Sequence, residues 1–181
     1  MKNLDKSRRA SILIMNPKEK GNREERKQAK QLSLWMFNDP DVLKRHSTSG
    51  ADKSVYVGDI VPIKQLSLFN WKKFKFMIEV KSGYRSHIPN FWSYEKVADW
   101  YRKARIESRD TDQNILFLIC QFKNKQALLI TNQCLEKIMF NVCIPVNMKN
   151  GEVEYAFVYT LNDVLKWNFQ DLFENIDYKG A

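Results

Sequence analysis

The sequence offers few of the residues that build disulfide or zinc sites. It has three cysteines, Cys120, Cys134 and Cys143, and none of them lies in a close pair. Its only histidines are His46 and His87. Scattered cysteines in odd number are typical of reduced thiols in a cytosolic protein, whereas zinc sites use Cys-x-x-Cys pairs or histidine clusters. Neither a disulfide framework nor a zinc site is therefore expected.

Long apolar runs are absent as well. No segment approaches the ~18 consecutive apolar residues of a membrane-spanning helix. The N-terminal residues are charged and lack the apolar core of a secretory signal. We therefore expect a soluble, cytoplasmic protein with no membrane partner. The compact length and the many asparagines and lysines suit a phage or mobile-element protein.

What the chain does contain predicts one folded domain with a basic surface. Its 181 residues are 44% apolar and 13% aromatic, which is enough for a single core. We expect the domain to span residues 1–181, with its core at about 20–131 and an extension of unassigned role at 132–181. The formal net charge of +9 favours a polyanionic partner, nucleic acid first and an anionic membrane surface second.

The order of the predicted helices and strands indicates an α/β fold. A first helix is expected from Asn22, with Glu25 as its capping-box partner, to the region before Pro40. The later elements are predicted as strands at 55–61, 76–82, 115–120, 127–130 and near 155–159, a helix at about 94–107, and a last helix capped by Thr160. The strands at 115–120 and 127–130 are expected to form a hairpin. This order predicts an α/β domain with a mixed central β-sheet flanked by helices.

The strand Phe76–Ser82 is the most informative segment of the chain. Side chains two positions apart in a strand share a face, so Glu79 and Lys81 point one way. The alternating apolar residues Phe76, Ile78 and Val80 point the other way, into the core. An isolated Glu-x-Lys in a strand is usually a salt bridge on a solvated face. Here Gly58 and Asp59 come on an acidic strand about twenty residues earlier, and this combination indicates a metal site.

Two carboxylates on neighbouring strands are typical ligands of Mg²⁺, which prefers oxygen donors and keeps several waters. We expect Asp59 and Glu79 to hold this ion, with Mn²⁺ as a substitute, and the carbonyl of Val80 to be a third ligand. Lys81, on the same face, is expected to orient or deprotonate the attacking water, or to offset charge in the transition state. The two carboxylates should converge to within about 4–5 Å.

Gly58-Asp59 followed by Ile78-Glu79-Val80-Lys81 resembles the signature of the PD-(D/E)XK nuclease superfamily, with glycine in place of proline. The wider pattern is most similar to the archaeal-type Holliday junction resolvase branch. Residues 21–26 match its Gly-x-x-x-Glu-Arg helix, and residues 45–50 are similar to its loop before the Asp. A helix and a strand ending at 118–123 follow the same layout. The resemblance covers about residues 20–131 and implies a restriction-endonuclease-like core.

The resemblance also implies roles for residues outside these strands. Glu25 joins the catalytic site from the first helix, or Glu24 does if the helix phase differs by one residue; the capping box is the alternative role of Glu25. Arg26 is implied to contact phosphate. Four residues after the helix are implied to hold the DNA backbone, with an ordinary solvated loop as the alternative: Arg45, Ser47, Ser49 and Lys53.

Three functions follow from these patterns. The leading one, implied by the resemblance, is a Mg²⁺-dependent DNA endonuclease that acts on branched DNA as a homodimer. The second is a restriction- or repair-type nuclease that acts on linear duplex DNA. The third is a non-catalytic DNA-binding module of the same fold. The carboxylates of Asp59 and Glu79 argue against the third, since they repel DNA unless a cation intervenes.

Overall fold

The strands of this chain form a single sheet. The computed structural model describes residues 17–46, 56–63, 74–82, 94–109, 111–122 and 125–173. The elements within these ranges are α1 (Pro17–Phe37), β1 (Leu43–Arg45), β2 (Ile60–Pro62), β3 (Phe76–Ser82), α2 (Tyr94–Ser108), β4 (Ile115–Gln121), β5 (Leu128–Thr131), β6 (Val142–Asn147), β7 (Val153–Thr160), α3 (Leu161–Val164) and α4 (Phe169–Leu172). No helix in these ranges has the length and apolar character needed to cross a membrane.

The sheet is mixed, and its strands lie in the order β1-β2-β3-β4-β5-β7-β6. β3 and β4 are parallel and are joined by the α2 crossover, as parallel neighbours require. The other neighbouring strands are antiparallel. The predicted α/β fold, a mixed central sheet flanked by helices with a restriction-endonuclease-like layout, is confirmed.

Each face of the sheet has its own apolar core. On one face, α1, α3 and α4 cover a cluster in which the rings of Phe76, Phe117 and Phe169 are packed together. On the other face, α2 covers a cluster that includes Met77 and Leu118. Because β3 and β4 contribute alternate side chains to both clusters, their sequences are almost continuously apolar.

The first helix begins earlier than predicted. α1 runs from Pro17, so Asn22 lies inside the helix and the predicted capping box with Glu25 is wrong. Proline suits the first turn because the N–H that it lacks has no helical partner there. The predicted stop before Pro40 is confirmed. Asn38 adopts a φ of 55°, and its N–H donates to the carbonyl four residues earlier at 2.9 Å, which closes the helix.

The first acidic strand is shorter than predicted. β2 covers only Ile60–Pro62, whereas residues 56–59, which were expected in the same strand, are not part of it; Val55 lies outside the described residues. Gly58 has a φ of 106°, which lies outside the strand region. Asp59 therefore lies at a bend immediately before β2 rather than within a strand.

The later elements agree with the predictions and carry the sheet further. The helix near 94–107, the hairpin of β4 with β5 and the strand near 155–159 are confirmed. β7 pairs with β5, and β6 forms the edge beyond it. Thr160 is the N-cap of α3, but its side chain makes no capping hydrogen bond. Residues 142–173 share the sheet and core of the preceding strands.

Candidate active site

The bend at Gly58 and Asp59 is seated directly on β3. The Asp59 N–H donates to the Ile78 carbonyl at 2.8 Å, and the Asp59 Oδ2 atom accepts a hydrogen bond from the Val80 N–H at 2.8 Å. A Cβ atom on Gly58 would lie 2.7 Å from the Ile78 carbonyl oxygen. Glycine is therefore required here, both for this close approach and for its positive φ, and proline could not adopt that φ.

Val80 presents its peptide groups to the bend. In an extended strand, the N–H and C=O of one residue point to the same edge. Since the Val80 N–H donates to Asp59, its carbonyl also faces the β2 edge of β3, beyond the start of β2. The Asp59 carboxylate and the Val80 carbonyl therefore lie at the same edge of β3.

Glu79 and Lys81 lie together on the face of β3 that is directed toward α2. Their side chains form an ion pair between Lys81 Nζ and Glu79 Oε1, while Ile78 and Val80 are buried in the opposite core. The predicted alternation of the strand is confirmed. Only 16% of the Glu79 side chain is exposed, so the pair does not have the solvated environment of an ordinary surface salt bridge.

The electrostatics of Glu79 indicate an excess of negative charge. Burial and the nearby Asp59 carboxylate raise the pKa of Glu79 to about 7, although Lys81 opposes the shift; Glu107 on α2 adds to it slightly. Two carboxylates that repel each other in a desolvated site are stabilised when a cation lies between them. The donor set of two carboxylates and one peptide carbonyl consists of oxygen atoms, which fits Mg²⁺.

The neighbour of Lys81 on β4 is an unreactive thiol. Cys120 is paired with Lys81 in the strand register and is fully buried. Burial raises the pKa of Cys120 to about 12, although Lys81 lowers it. The thiol is therefore neutral near pH 7 and supplies neither a nucleophile nor a charge to the site.

Glu25 approaches the bend from α1 through an ion pair. Its Oε2 atom lies 2.5 Å from Arg45 Nε, and both side chains are partly buried. Arg45 precedes His46, whose N–H donates to the Asp59 carbonyl at 2.8 Å. Glu24 instead accepts from Gln28 at 2.9 Å. Of the two glutamates, Glu25 is thus the one whose carboxylate reaches the end of β1 beside Asp59.

The structure does not group Glu25 with the other two carboxylates. Among the described residues, no three Asp, Glu, His or Cys side chains are arranged to hold a metal ion. The site instead brings together Asp59, Glu79 and the peptide of Val80, with Lys81 beside them. Two carboxylates suit an ion that keeps several waters and takes further oxygen ligands from phosphate.

The predicted DNA contacts lie in two regions. Arg26 is exposed on α1 and shares one flank of the helix with four other exposed cations, Lys20, Arg23, Lys27 and Lys30, and with one acid, Glu19. Arg45 is at the end of β1 in its pair with Glu25. The remaining predicted contacts lie outside the described residues: Ser47, Ser49 and Lys53.

One buried polar residue near the site, Gln113, has no signature in the sequence. Gln113 stands between Asp112 and Asn114 in a segment that looks like an ordinary polar turn, yet its side chain is 1% exposed. Its amide is hydrogen-bonded to the backbone of Val57 and Phe76. No spacing or motif distinguishes such a residue, because its role depends on segments far away in the chain.

Comparison with known protein families gives one match. The model of the family described as "Phage putative PDDEXK endonuclease" matches residues 16–178. This range includes the bend at Asp59, the Glu79 and Lys81 strand, and the strands and helices up to α4. No curated protein and no solved structure shows a significant match to the chain.

Proposed function

Because the chain belongs to this phage family of PDDEXK endonucleases, we propose that Asp59, Glu79 and the Val80 carbonyl hold a Mg²⁺ ion and that the protein hydrolyses phosphodiester bonds of DNA. One observation carries the proposal. The Asp59 carboxylate is fixed on the Val80 N–H beside a desolvated Glu79, whose pKa burial and Asp59 raise. Mn²⁺ substitutes for Mg²⁺ in this proposal.

The chain's own groups prepare the site for hydrolysis. A bound divalent ion polarises the phosphate and lowers the pKa of a coordinated water. The Val80 N–H holds one Asp59 oxygen, Oδ2, and in this proposal the other oxygen binds the ion. Lys81, held beside Glu79, orients the attacking water and offsets the negative charge that develops on the phosphate.

We assign Arg45 to the phosphate backbone and Glu25 to the orientation of Arg45. The ion pair holds the guanidinium beside the bend that carries Asp59, and a guanidinium is well shaped to contact phosphate. In the alternative arrangement, Arg45 moves to phosphate and Glu25 turns toward the metal. Either arrangement makes Glu25 part of the catalytic site, as the resemblance implied.

The exposed flank of α1 is the proposed path of the DNA. Its five cations, including Arg26, recur at helical spacing on α1, the helix whose Glu25 pairs with Arg45. Cationic and hydroxyl side chains position a protein on DNA through phosphate. Ser47, Ser49 and Lys53 belong to the same proposed contact, and the net charge of +9 supports it. A phage-encoded protein of this kind would act in the cytoplasm of the host.

The preferred DNA structure and the oligomeric state rest on the resemblance of the sequence alone. We propose branched DNA as the substrate and a homodimer as the active form, because two-fold symmetry provides one site for each cleaved strand. Linear duplex DNA, as in restriction or repair nucleases, is the alternative substrate. The non-catalytic binding module is disfavoured because Asp59 and Glu79 would repel phosphate in the absence of a cation.

One cleavage assay tests these assignments. The protein is incubated with a four-way junction, a linear duplex or single strands, in Mg²⁺, Mn²⁺ or EDTA. We expect the wild type to cleave with either metal and not in EDTA, and Asp59→Asn and Lys81→Ala to lose on the order of a hundredfold or more in rate. Lys166→Ala is the matched control, since it removes an exposed lysine that pairs with Asp163 on α3.

The outcomes separate the hypotheses. A wild type that cuts none of the substrates with either metal would exclude an active nuclease. Equal rates on junction and linear duplex would remove only the branched-DNA preference. If Asp59→Asn cut as fast as the Lys166→Ala control, the assigned site would be wrong.

A further inference from the structure

Gln113 makes three hydrogen bonds to the backbone on both sides of the candidate site. Its Oε1 atom accepts from the Val57 N–H at 2.6 Å. Its Nε2 group donates to the Val57 carbonyl at 3.2 Å and to the Phe76 carbonyl at 2.7 Å. The amide thus satisfies both peptide groups of Val57 and links this residue to the start of β3.

The Gln113 amide supplies a hydrogen-bond donor to the Phe76 carbonyl. Ile60 is paired with Ile78, and continuing that antiparallel register by two residues would bring Pro62 level with Phe76. Proline has no N–H to donate. The Gln113 amide takes the position that a strand partner would occupy, and a buried carbonyl left without a donor would destabilise the sheet.

The two ends of the bend are therefore both attached to β3, at different positions along the strand. Val57 is joined to Phe76 through Gln113, and Asp59 is bonded to Ile78 and Val80. Only Gly58 lies between these attachments, and glycine permits many backbone conformations. Asp59 is also held by the His46 N–H on its carbonyl, and Tyr56 packs on Phe74, whereas Gln113 is the side chain that hydrogen-bonds the backbone of Val57.

We propose that Gln113 is a positioning residue that sets the place of the Asp59 carboxylate relative to Glu79. The inference rests on the proposed metal site, which it deepens. Gln113 touches neither carboxylate; it acts through the backbone of Val57. Its own backbone is held at the end of α2, since the Gln113 N–H donates to Thr111 Oγ1 at 3.2 Å and that hydroxyl donates to the Ser108 carbonyl at 2.9 Å.

The chain contains a matched control for this amide. Asn132 also bridges two backbone groups: its Oδ1 atom accepts from the Leu116 N–H at 2.9 Å, and its Nδ2 group donates to the Asn114 carbonyl at 2.8 Å. These bonds hold the same turn from the β4 side and do not involve Val57 or β3. Asn132→Leu therefore removes a comparable amide bridge without releasing the bend.

The test measures amide hydrogen exchange in the metal-free, full-length chain and Mn²⁺ affinity. In Gln113→Leu, the amides of Asp59 and Val80 should exchange about tenfold faster or more, because a lost buried hydrogen bond is worth one to a few kcal/mol. Mn²⁺ should bind about tenfold more weakly. In Asn132→Leu, the Leu116 amide should exchange faster, while Asp59, Val80 and Mn²⁺ binding stay at wild-type values.

A gentler variant and the wild type keep the proposal testable if Gln113→Leu does not fold. Gln113→Glu keeps the size and the acceptor for the Val57 N–H but loses both donated bonds, so the Asp59 and Val80 amides should again exchange faster. In the wild type, the amides of Val57, Asp59 and Val80 should share one protection factor, because they open together. Three independent protection factors would contradict the proposal.

The proposal and the function on which it rests fail in different ways. Wild-type protein that neither binds Mn²⁺ nor cleaves DNA would remove the proposed function. Wild-type protein that does both, combined with unchanged Asp59 and Val80 exchange in the Gln113 variants, would overturn the positioning role. So would an equal acceleration of these two amides in Asn132→Leu.

Discussion

Glu79 on β3 and Glu154 on β7 are both partly buried carboxylates with a basic partner, yet their pKa values move in opposite directions. Glu154 accepts hydrogen bonds from Arg105 at 2.8 and 3.4 Å and from the Tyr101 hydroxyl at 3.2 Å. Burial alone would raise its pKa, but the hydrogen bonds and charge of Arg105 outweigh it, and the pKa is lowered. Burial raises the pKa of Glu79, the nearby Asp59 carboxylate adds to the rise, and Lys81 does not offset them.

The difference separates a structural ion pair from the proposed cation site. Glu154 has two guanidinium groups beside it, because Arg109 lies 3.7 Å away in addition to Arg105, and Arg109 also pairs with Glu152. Around Glu79, two carboxylates share one ammonium group. The same residue types on one face of one sheet thus serve two purposes, and the count of charges around each carboxylate distinguishes them.

The largest expected effect comes from removing the negative charge of Glu79 and, in a separate variant, that of Glu154. Glu79→Gln should abolish Mn²⁺ binding measured by calorimetry and leave the fold intact, because it relieves repulsion between carboxylates. Glu154→Gln should leave Mn²⁺ binding unchanged and lower the free energy of unfolding by roughly 1–2 kcal/mol, because a partly buried pair is lost. If the Mn²⁺ affinity fell equally in both variants, the distinction between Glu79 as a metal ligand and Glu154 as a structural ion pair would be wrong.

A smaller effect is expected in the dependence of stability on pH. The folded pKa of Glu79, about 7, lies above the ordinary glutamate value of 4.5, so between these pH values the folded state binds more protons than the unfolded state. Stability of the metal-free protein should therefore fall as pH rises from about 4.5 through about 7. Urea melts of the wild type and Glu79→Gln should show this fall only in the wild type.

Added Mg²⁺ provides the control for that pH dependence. Above about pH 7, it should restore the stability that the metal-free wild type has lost, because the ion binds the ionised carboxylates of the folded state. It should have no such effect on Glu79→Gln. A wild type whose stability follows the same pH curve as Glu79→Gln without metal would contradict the charge excess at Asp59 and Glu79.

The smallest effect compares the cations of α1 with those of α2. Arg102 and Arg105 on α2 are committed to Asp99 and Glu154, whereas Arg26 lies on the proposed DNA path along α1. Arg26→Gln should weaken DNA binding uniformly across sequences and reduce the slope of log affinity against log salt by about 1. Arg102→Gln should leave that slope unchanged. Fluorescence anisotropy at several salt concentrations measures the DNA affinity and its salt slope. Equal slopes for the two variants would contradict a DNA path along α1.

The parts of the fold that could be predicted are those with a local pattern. Alternation in β3 placed Glu79 and Lys81 on one face, and the apolar runs of β4 and β5 predicted their hairpin. The start of α1 was missed because Asn22 is a good capping residue, although Pro17 provides the actual first turn. Local preference alone could not choose between these two starts.

The candidate site was predictable in its residues and not in its geometry. The motif selected Asp59, Glu79 and Lys81 before any fold was known. The strand predicted over 55–61 is wrong at the bend 56–59, because Val55-Tyr56-Val57 has strand-forming side chains. What overrides that preference is the positive φ of Gly58 and the amide of Gln113. The latter is a contact between distant segments, which a short sequence window does not contain.

The Val57–Gln113 hydrogen bond joins residues 56 positions apart in the chain. During synthesis, the chain emerges from its N-terminus, so Asp59, Glu79 and Lys81 leave the ribosome before Gln113 does. A nascent chain therefore exposes both carboxylates and the lysine while the amide bridge to Val57 cannot yet exist. The order of synthesis would delay full assembly of the candidate active site until the α2 crossover and the start of β4 are made.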